Sequence, residues 1–134
     1  MKEIGIDAKI QTPDWGTYIA ALNRYDYVPM FLLGKGSPTG DQDLTCTLSN
    51  VCNAKMNHFG YCNPKVSELV EQQRGALDPK KRFEILAEIQ RIMYEEVPQV
   101  TLFYEVQLYG ARANVHGVKL YTHEFVNFSK AWKE

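Results

Sequence analysis

The stretch PKKRFEILAEIQRIMYEEV, residues 79–97, constrains this chain more than any other. Phe83, Leu86, Ile89, Met93 and Val97 step by three or four residues, which places them on one face of an α-helix. Asp78 stands at the capping position and Pro79 at the first helical position, where a missing N–H costs nothing. Pro98 ends the helix, because proline cannot continue the hydrogen-bond ladder. Asn63-Pro64 repeats the same start signal and predicts a second helix to about Gly75, with Val66, Leu69 and Val70 facing inward. Two helices with one apolar face each must bury those faces against a further layer.

Candidate strands supply that layer. Ile4 to Gln11 (IGIDAKIQ) alternates apolar and polar residues, the period of a strand. TPDWGTYIAALNRYD follows, with Thr12 or Asp14 as cap and Trp15, Tyr18, Ile19 and Leu22 at helical spacing. Tyr27 to Leu33 is nearly all apolar and predicts a buried strand, with Pro29 at an edge or a bulge. Strand, helix and strand within about 30 residues make a βαβ unit with a parallel pair. Gln99 to Val106 and Val115 to Tyr121 predict two more strands. The fold class expected is therefore α/β, a mixed sheet flanked by helices. A chain of 134 residues has room for one domain with a modest core.

The formal net charge of −1 offers no basic field to nucleic acid. Lys80, Lys81 and Arg82 fit the exposed first turn of a helix better than a binding patch. The longest apolar run, around Met30 to Leu33, falls far short of the roughly 20 residues of a membrane helix. MKEIGIDAKI lacks the apolar centre of a signal peptide, and a chain that opens so abruptly on a strand pattern is expected to be a piece of something longer.

From Gly34 to Cys62 no periodicity survives, and so long an irregular stretch in a compact domain is usually functional. It opens with GKGSPTGDQD, Gly34 to Asp43. A phosphate-binding loop is excluded, since that motif needs a glycine where Pro29 stands and a helix pattern after Ser37. The three cysteines, Cys46, Cys52 and Cys62, lie close together and admit either a disulfide with one thiol left over or a metal site. With His58 they read C-x5-C-x5-H-x3-C, the right ligand types for zinc at the wrong spacing. A Cys52–Cys62 bridge is favoured, with Cys46 free and buried. His116 and His123 have no partner at metal-ligand spacing. Cys62 and His58 lack a third orienting group, and no carboxylate pair sits in an apolar setting, so no catalytic site and no cofactor are expected.

The order of motifs is specific. Tyr-Asp and an apolar strand lead to LLGKGSPTGDQD, then GYCNPKVSELV, LDPKKRFEILAEIQRIMYEEVPQVTLFY and ARANVHGVKLY. This order resembles the C-terminal half of the peptide- and nickel-type solute-binding proteins of ABC importers. The residues that carry the resemblance are Tyr61, Asn63, Pro64, Asp78, Lys81, Arg82, Gln90, Ile92, Pro98, Ala111, Asn114, Val115, Gly117 and Val118. The resemblance implies one lobe of a type II periplasmic-binding-protein-like fold over residues 1–134, with 105–134 returning toward a first lobe. It implies a peptide or similar solute as ligand, an ABC permease as partner, and a periplasmic or extracellular location, with or without a lipid anchor. Dipeptide-binding members also carry a cysteine pair in the place of Cys52 and Cys62.

In that family the loop after the strand lines the cleft between the lobes and usually reads Gly-Trp-x-x-Asp. Its Asp pairs with the ligand's ammonium in peptide binders. Here Lys35 stands in the place of the Trp and Pro38 in that of the Asp. Other members carry a later Gly-Asp-x-Asp, matched by Gly40, Asp41 and Asp43. The resemblance thus implies a ligand-binding set of Lys35, Gly36, Ser37, Thr39, Asp41 and Asp43. Asp41 has two readings, a replacement anchor for an ammonium or a turn-forming residue. Val118, Leu120, Phe125, Val126, Phe128 and Trp132 would lack their usual partner in the first lobe. They are expected to repack on this lobe or to pair with a second copy. Two other descriptions compete: a self-associating structural module, and a Cys/His zinc domain.

Overall fold

The computed structural model describes residues 2–26, 30–121 and 125–134. The chain divides into two compact units, Met1–Leu32 and Leu33–Glu134.

In the first unit a 3-10 turn at Lys2–Ile4 precedes helix α1, Trp15–Asn23. Asp14 caps α1 by accepting a hydrogen bond from the Thr17 N–H at 3.1 Å. Leu22 is its buried residue, and the Tyr18 hydroxyl donates to the Leu32 carbonyl at 2.5 Å. The strand predicted from Ile4 to Gln11 is not formed, nor is one at residues 30–33. Tyr27 to Pro29 lie outside the described residues. The predicted parallel βαβ pair is therefore absent among the described residues. Alternation of side chains describes one face of a strand but cannot supply the neighbour that takes up its backbone N–H and C=O groups.

The second unit is a layer of three helices, α2 (Gln42–Ser49), α3 (Pro64–Gly75) and α4 (Pro79–Glu96). Asn63 accepts from the N–H groups of Lys65 and Val66, and Asp78 from that of Lys80, so both Asn-Pro and Asp-Pro starts act as the sequence predicts. The linker between α3 and α4 is short, which makes them sequence neighbours that pack on each other. Helix α2 rests on α3. The core between them is Cys46, Val66, Leu69, Val70, Ile89 and Ile92. Two ends of the predicted α4 stripe fall outside it. Phe83 is 72 % exposed, and Val97 is an exposed left-handed cap residue with φ 45°. Ile85 and Ile92 complete the buried stripe with Leu86, Ile89 and Met93, a shift of roughly a sixth of a turn around the helix.

The strands are short and antiparallel. β1 (Val115–His116) pairs with β4 (Trp132–Lys133), and β2 (Lys119–Leu120) with β3 (Val126–Asn127). The architecture is thus mixed, helices plus two small sheets. The strand expected at 99–106 is irregular, and Val100, Leu102, Phe103, Tyr104 and Val106 are all exposed. Of the apolar tail residues, Val118 and Val126 are half-buried, while Leu120, Phe125, Phe128 and Trp132 stay largely exposed. Repacking of the tail on its own chain is only partial.

Gly117 fixes the tail's geometry. Its φ is +72°, and a Cβ there would lie 2.0 Å from the Lys130 carbonyl oxygen. Gly117→Ala is expected to cost about 1 kcal/mol for the left-handed backbone alone, with the backbone clash added. The check is amide hydrogen exchange: protection should fall at Val115 and Lys133 while helical circular dichroism is unchanged.

Candidate functional site

The loop from Gly34 to Asp43 is built around its own polar groups. The Gly40 N–H donates to the Ser37 carbonyl at 3.0 Å, closing a turn that Gly40 completes at φ 70°. The Ser37 hydroxyl donates to the Asp41 carbonyl at 2.6 Å and lies 3.2 Å from the Thr39 hydroxyl. Thr39 in turn accepts from the Asp41 N–H at 3.3 Å. Three of the residues singled out as ligand-binding, Ser37, Thr39 and Asp41, thus hold the loop's shape.

Asp41 is the N-cap of α2, accepting from the Asp43 N–H at 2.8 Å. This helix begins where the sequence pattern shows none after Ser37. Both carboxylate oxygens of Asp41 also accept from Arg82, Oδ2 from Nη1 at 2.9 Å and Oδ1 from Nη2 at 2.6 Å. Such a fork is the geometry in which a guanidinium holds a carboxylate most strongly. Arg82 Nε donates to the buried Gln73 side chain at 3.0 Å, and Gln73 donates onward to Asp43. Asp43 also lies 3.5 Å from Arg74 Nε and accepts from the Thr47 hydroxyl at 3.3 Å. Around these groups is an open depression of about 520 Å³, lined by Asp41, Asp43, Gln73, Arg74 and Arg82 among others.

The Arg82 fork holds the Asp41 carboxyl down to about 2, with the Asp43 N–H helping. A folded value below the unfolded one means the contribution is fully present above about pH 4 and is lost as pH falls through about 2. Wild type should therefore lose thermal stability over that window, and Asp41→Asn should remove this part of the slope in melts recorded from pH 5 to pH 2.

Lys35 stands apart from this network. Its ammonium lies 4.5 Å from the centroid of the Phe59 ring. Desolvation there pulls its pKa below the ordinary lysine value. The neighbouring His58 is buried, and burial with the Lys35 charge lowers its pKa as well. Gly34 and Gly36, on either side of Lys35, have open space where a side chain would point.

The segment behind Phe59 is pinned twice. Cys52 and Cys62 form a disulfide, and Cys46 is a buried free thiol whose pKa burial pushes up. The bridge uses two of the four ligands that a zinc site would need. Inside the bridged loop the buried Asn57 donates to the Val51 and Tyr61 carbonyls at 3.1 and 2.5 Å and accepts from the Tyr61 N–H at 3.1 Å. Beside it Glu96, at the end of α4, accepts from the Tyr61 hydroxyl at 2.5 Å and from the Asn63 amide at 2.7 Å. Burial and then Glu96 push the Tyr61 hydroxyl up to about 12, so it remains a proton donor at neutral pH.

Against known proteins, no family model matches the chain. Individual proteins do. It is 30 % identical over 120 residues to a di/tripeptide-binding protein of Pseudomonas aeruginosa (strain UCBPP-PA14), covering 88 % of this chain and 22 % of that protein. It is 25 % identical over 120 residues to an oligopeptide-binding protein of Bacillus subtilis (strain 168), covering 87 % of this chain and 21 % of that protein. The dipeptide-binding protein of Escherichia coli (strain K12) is 25 % identical over 133 residues, 95 % of this chain and 25 % of that protein. By sequence, the chain is a relative of the dipeptide- and oligopeptide-binding proteins. It spans about a fifth to a quarter of their length. Among the described residues no helix is long and apolar enough to cross a membrane.

Three residues of the loop's support carry no mark in the sequence as site residues. Arg82, Gln73 and Arg74 sit on helices far along the chain, and Arg82 is 41 residues from Asp41. A basic residue in a helix's first turn carries no local sign that it will reach back to a loop.

Proposed function

We propose that the chain is a ligand-binding lobe of the substrate-binding component of an ABC importer for dipeptides or oligopeptides, the second lobe of a two-lobed protein. The observation that carries this reading is that similarity to proteins named for binding di-, tri- and oligopeptides runs along nearly the whole chain. Lys35, Gly36, Ser37, Thr39, Asp41 and Asp43 form one wall of the cleft in this reading. The opposite wall belongs to a first lobe, onto which residues 105–134 return. Transport would then proceed by closure of the two lobes on the solute and delivery to a permease, in the periplasm or outside the cell. Binding in this reading is non-catalytic.

In this reading the chain supplies one wall of the cleft, so its affinity for a solute is expected to be weak. Dialanine titrated into the labelled protein should shift the amide resonances of residues 34–43 with millimolar or weaker affinity. Unchanged resonances throughout that loop at saturating dialanine would overturn the reading for this chain.

A second reading has its own support. Val100, Leu102, Phe103, Tyr104, Val106 and Leu108 form an exposed apolar run, and such runs mark surfaces that meet another protein. Self-association of the chain through this run and the tail would make it an interaction module. Sedimentation at rising concentration tests it: a mass that stays monomeric would remove this reading.

A further inference from the structure

Charge in the loop does not point toward an ammonium. Asp41 is held by both terminal nitrogens of Arg82, and Asp43 faces Arg74 and the Gln73 amide. Two carboxylates thus meet two guanidiniums, and the cluster carries no net charge of its own. The charge of Asp41 is already matched by Arg82 through a bidentate pair, so a ligand's ammonium would gain less there than at an unpaired carboxylate. The hydroxyls of Ser37 and Thr39 are occupied within the loop. What the loop still offers is a cation. Among the described residues no carboxylate lies in salt-bridge range of Lys35, and its ammonium is placed by the Phe59 ring instead of by an anion. A cation–π contact approaches the ammonium from one side, so its remaining N–H donors stay available for an acceptor. Open space at Gly34 and Gly36 lets a ligand come close to the backbone on both sides.

We propose that Lys35 is a specificity-determining residue that pairs with a carboxylate of the ligand, so that this wall recognises the anionic end of a solute rather than its ammonium. The inference rests on the reading of residues 34–43 as a cleft wall. It reverses the charge that Asp41 would have supplied. Phe59 is the positioning residue, since its ring holds the Lys35 ammonium above the bridged loop.

Two capped probes separate the possibilities. N-acetyl-dialanine has a carboxylate and no ammonium; dialanine amide has an ammonium and no carboxylate. Titrated into the labelled 134-residue chain, N-acetyl-dialanine is expected to shift the amides of Gly34, Lys35 and Gly36, whereas dialanine amide leaves them in place. Lys35→Met should weaken the first response by roughly ten-fold, the size of one charge-assisted hydrogen bond, and Lys35→Arg should largely restore it. Circular dichroism of both variants controls for folding, which an exposed Lys35 should not disturb. Shifts produced by dialanine amide and lost in Asp41→Asn would overturn the proposal while leaving the cleft-wall reading intact. Equal binding of N-acetyl-dialanine by wild type and Lys35→Met would also overturn it. Silence of the loop toward both probes would overturn the proposal together with the cleft-wall reading.

Discussion

Replacing Cys52 and Cys62 together by serine is expected to lower stability by about 2–4 kcal/mol, the range for a bridge of this span. For a chain of this length that corresponds to a fall in melting temperature of roughly 10 °C. The bridge acts in two ways. The bridge closes a loop with a sequence separation of 10, which restricts the unfolded chain. It also fixes both ends of a segment whose interior the buried Asn57 side chain ties together by hydrogen bonds to Val51 and Tyr61. Neighbouring contacts depend on the same placement. The Cys52 N–H donates to the Ser67 hydroxyl on α3, and Tyr61 and Asn63, either side of Cys62, both reach Glu96 on α4. Urea unfolding of the oxidised protein and the double serine variant measures the difference. A loss below about 0.5 kcal/mol, the level of an ordinary surface substitution, would mean that Asn57 and Glu96 hold the segment without help. The same experiment bears on the loop, because Phe59, which carries Lys35, lies inside the bridged segment. In the proposed role of Lys35, reduction should therefore weaken the N-acetyl-dialanine response as well.

What the sequence made legible follows the range of each signal. Caps are local: Asn63 and Asp78 bond to N–H groups two or three residues away, so Asn-Pro and Asp-Pro located the starts of α3 and α4. Helix α2 is hard to read from sequence because QDLTCTLS is only eight residues long and, apart from Leu44, Cys46 and Leu48, polar, with Cys46 and Ser49 as its buried residues. Its start was nonetheless marked, since the turn-forming reading of Asp41 is close to its role as N-cap. The strand expected at 4–11 rests on alternation that is present in the residues. Alternation reports a preference, and a strand also needs a neighbouring strand to bond with. The site divides in the same way. Positions 34–43 could be singled out by composition and resemblance, but the assignment of charge within them depends on Arg82 and Gln73, which only the packing of α3 and α4 brings to the loop.

Helix α4 provides the sharpest contrast between pattern and packing. Ile89→Ala should destabilise the chain by about 3 kcal/mol, because Ile89 is 2 % exposed at the centre of the core and its neighbours Val66 and Val70 are themselves fully buried. Phe83→Ala, at the first position of the same predicted stripe, should cost less than about 0.5 kcal/mol. The periodicity treats the two residues alike, yet Phe83 is 72 % exposed. Chemical unfolding of each variant, repeated at low and high protein concentration, tests more than the core. At low concentration only Ile89→Ala should matter. If Phe83→Ala becomes costly as concentration rises, a second molecule must be covering the outer face of α4, as the self-association reading requires. If its effect stays small throughout, that face is open in the isolated chain. The exposed apolar residues of α4 and of the run from Val100 to Leu108 would then be surfaces left for a different protein segment, which favours the two-lobed reading over a self-associating module.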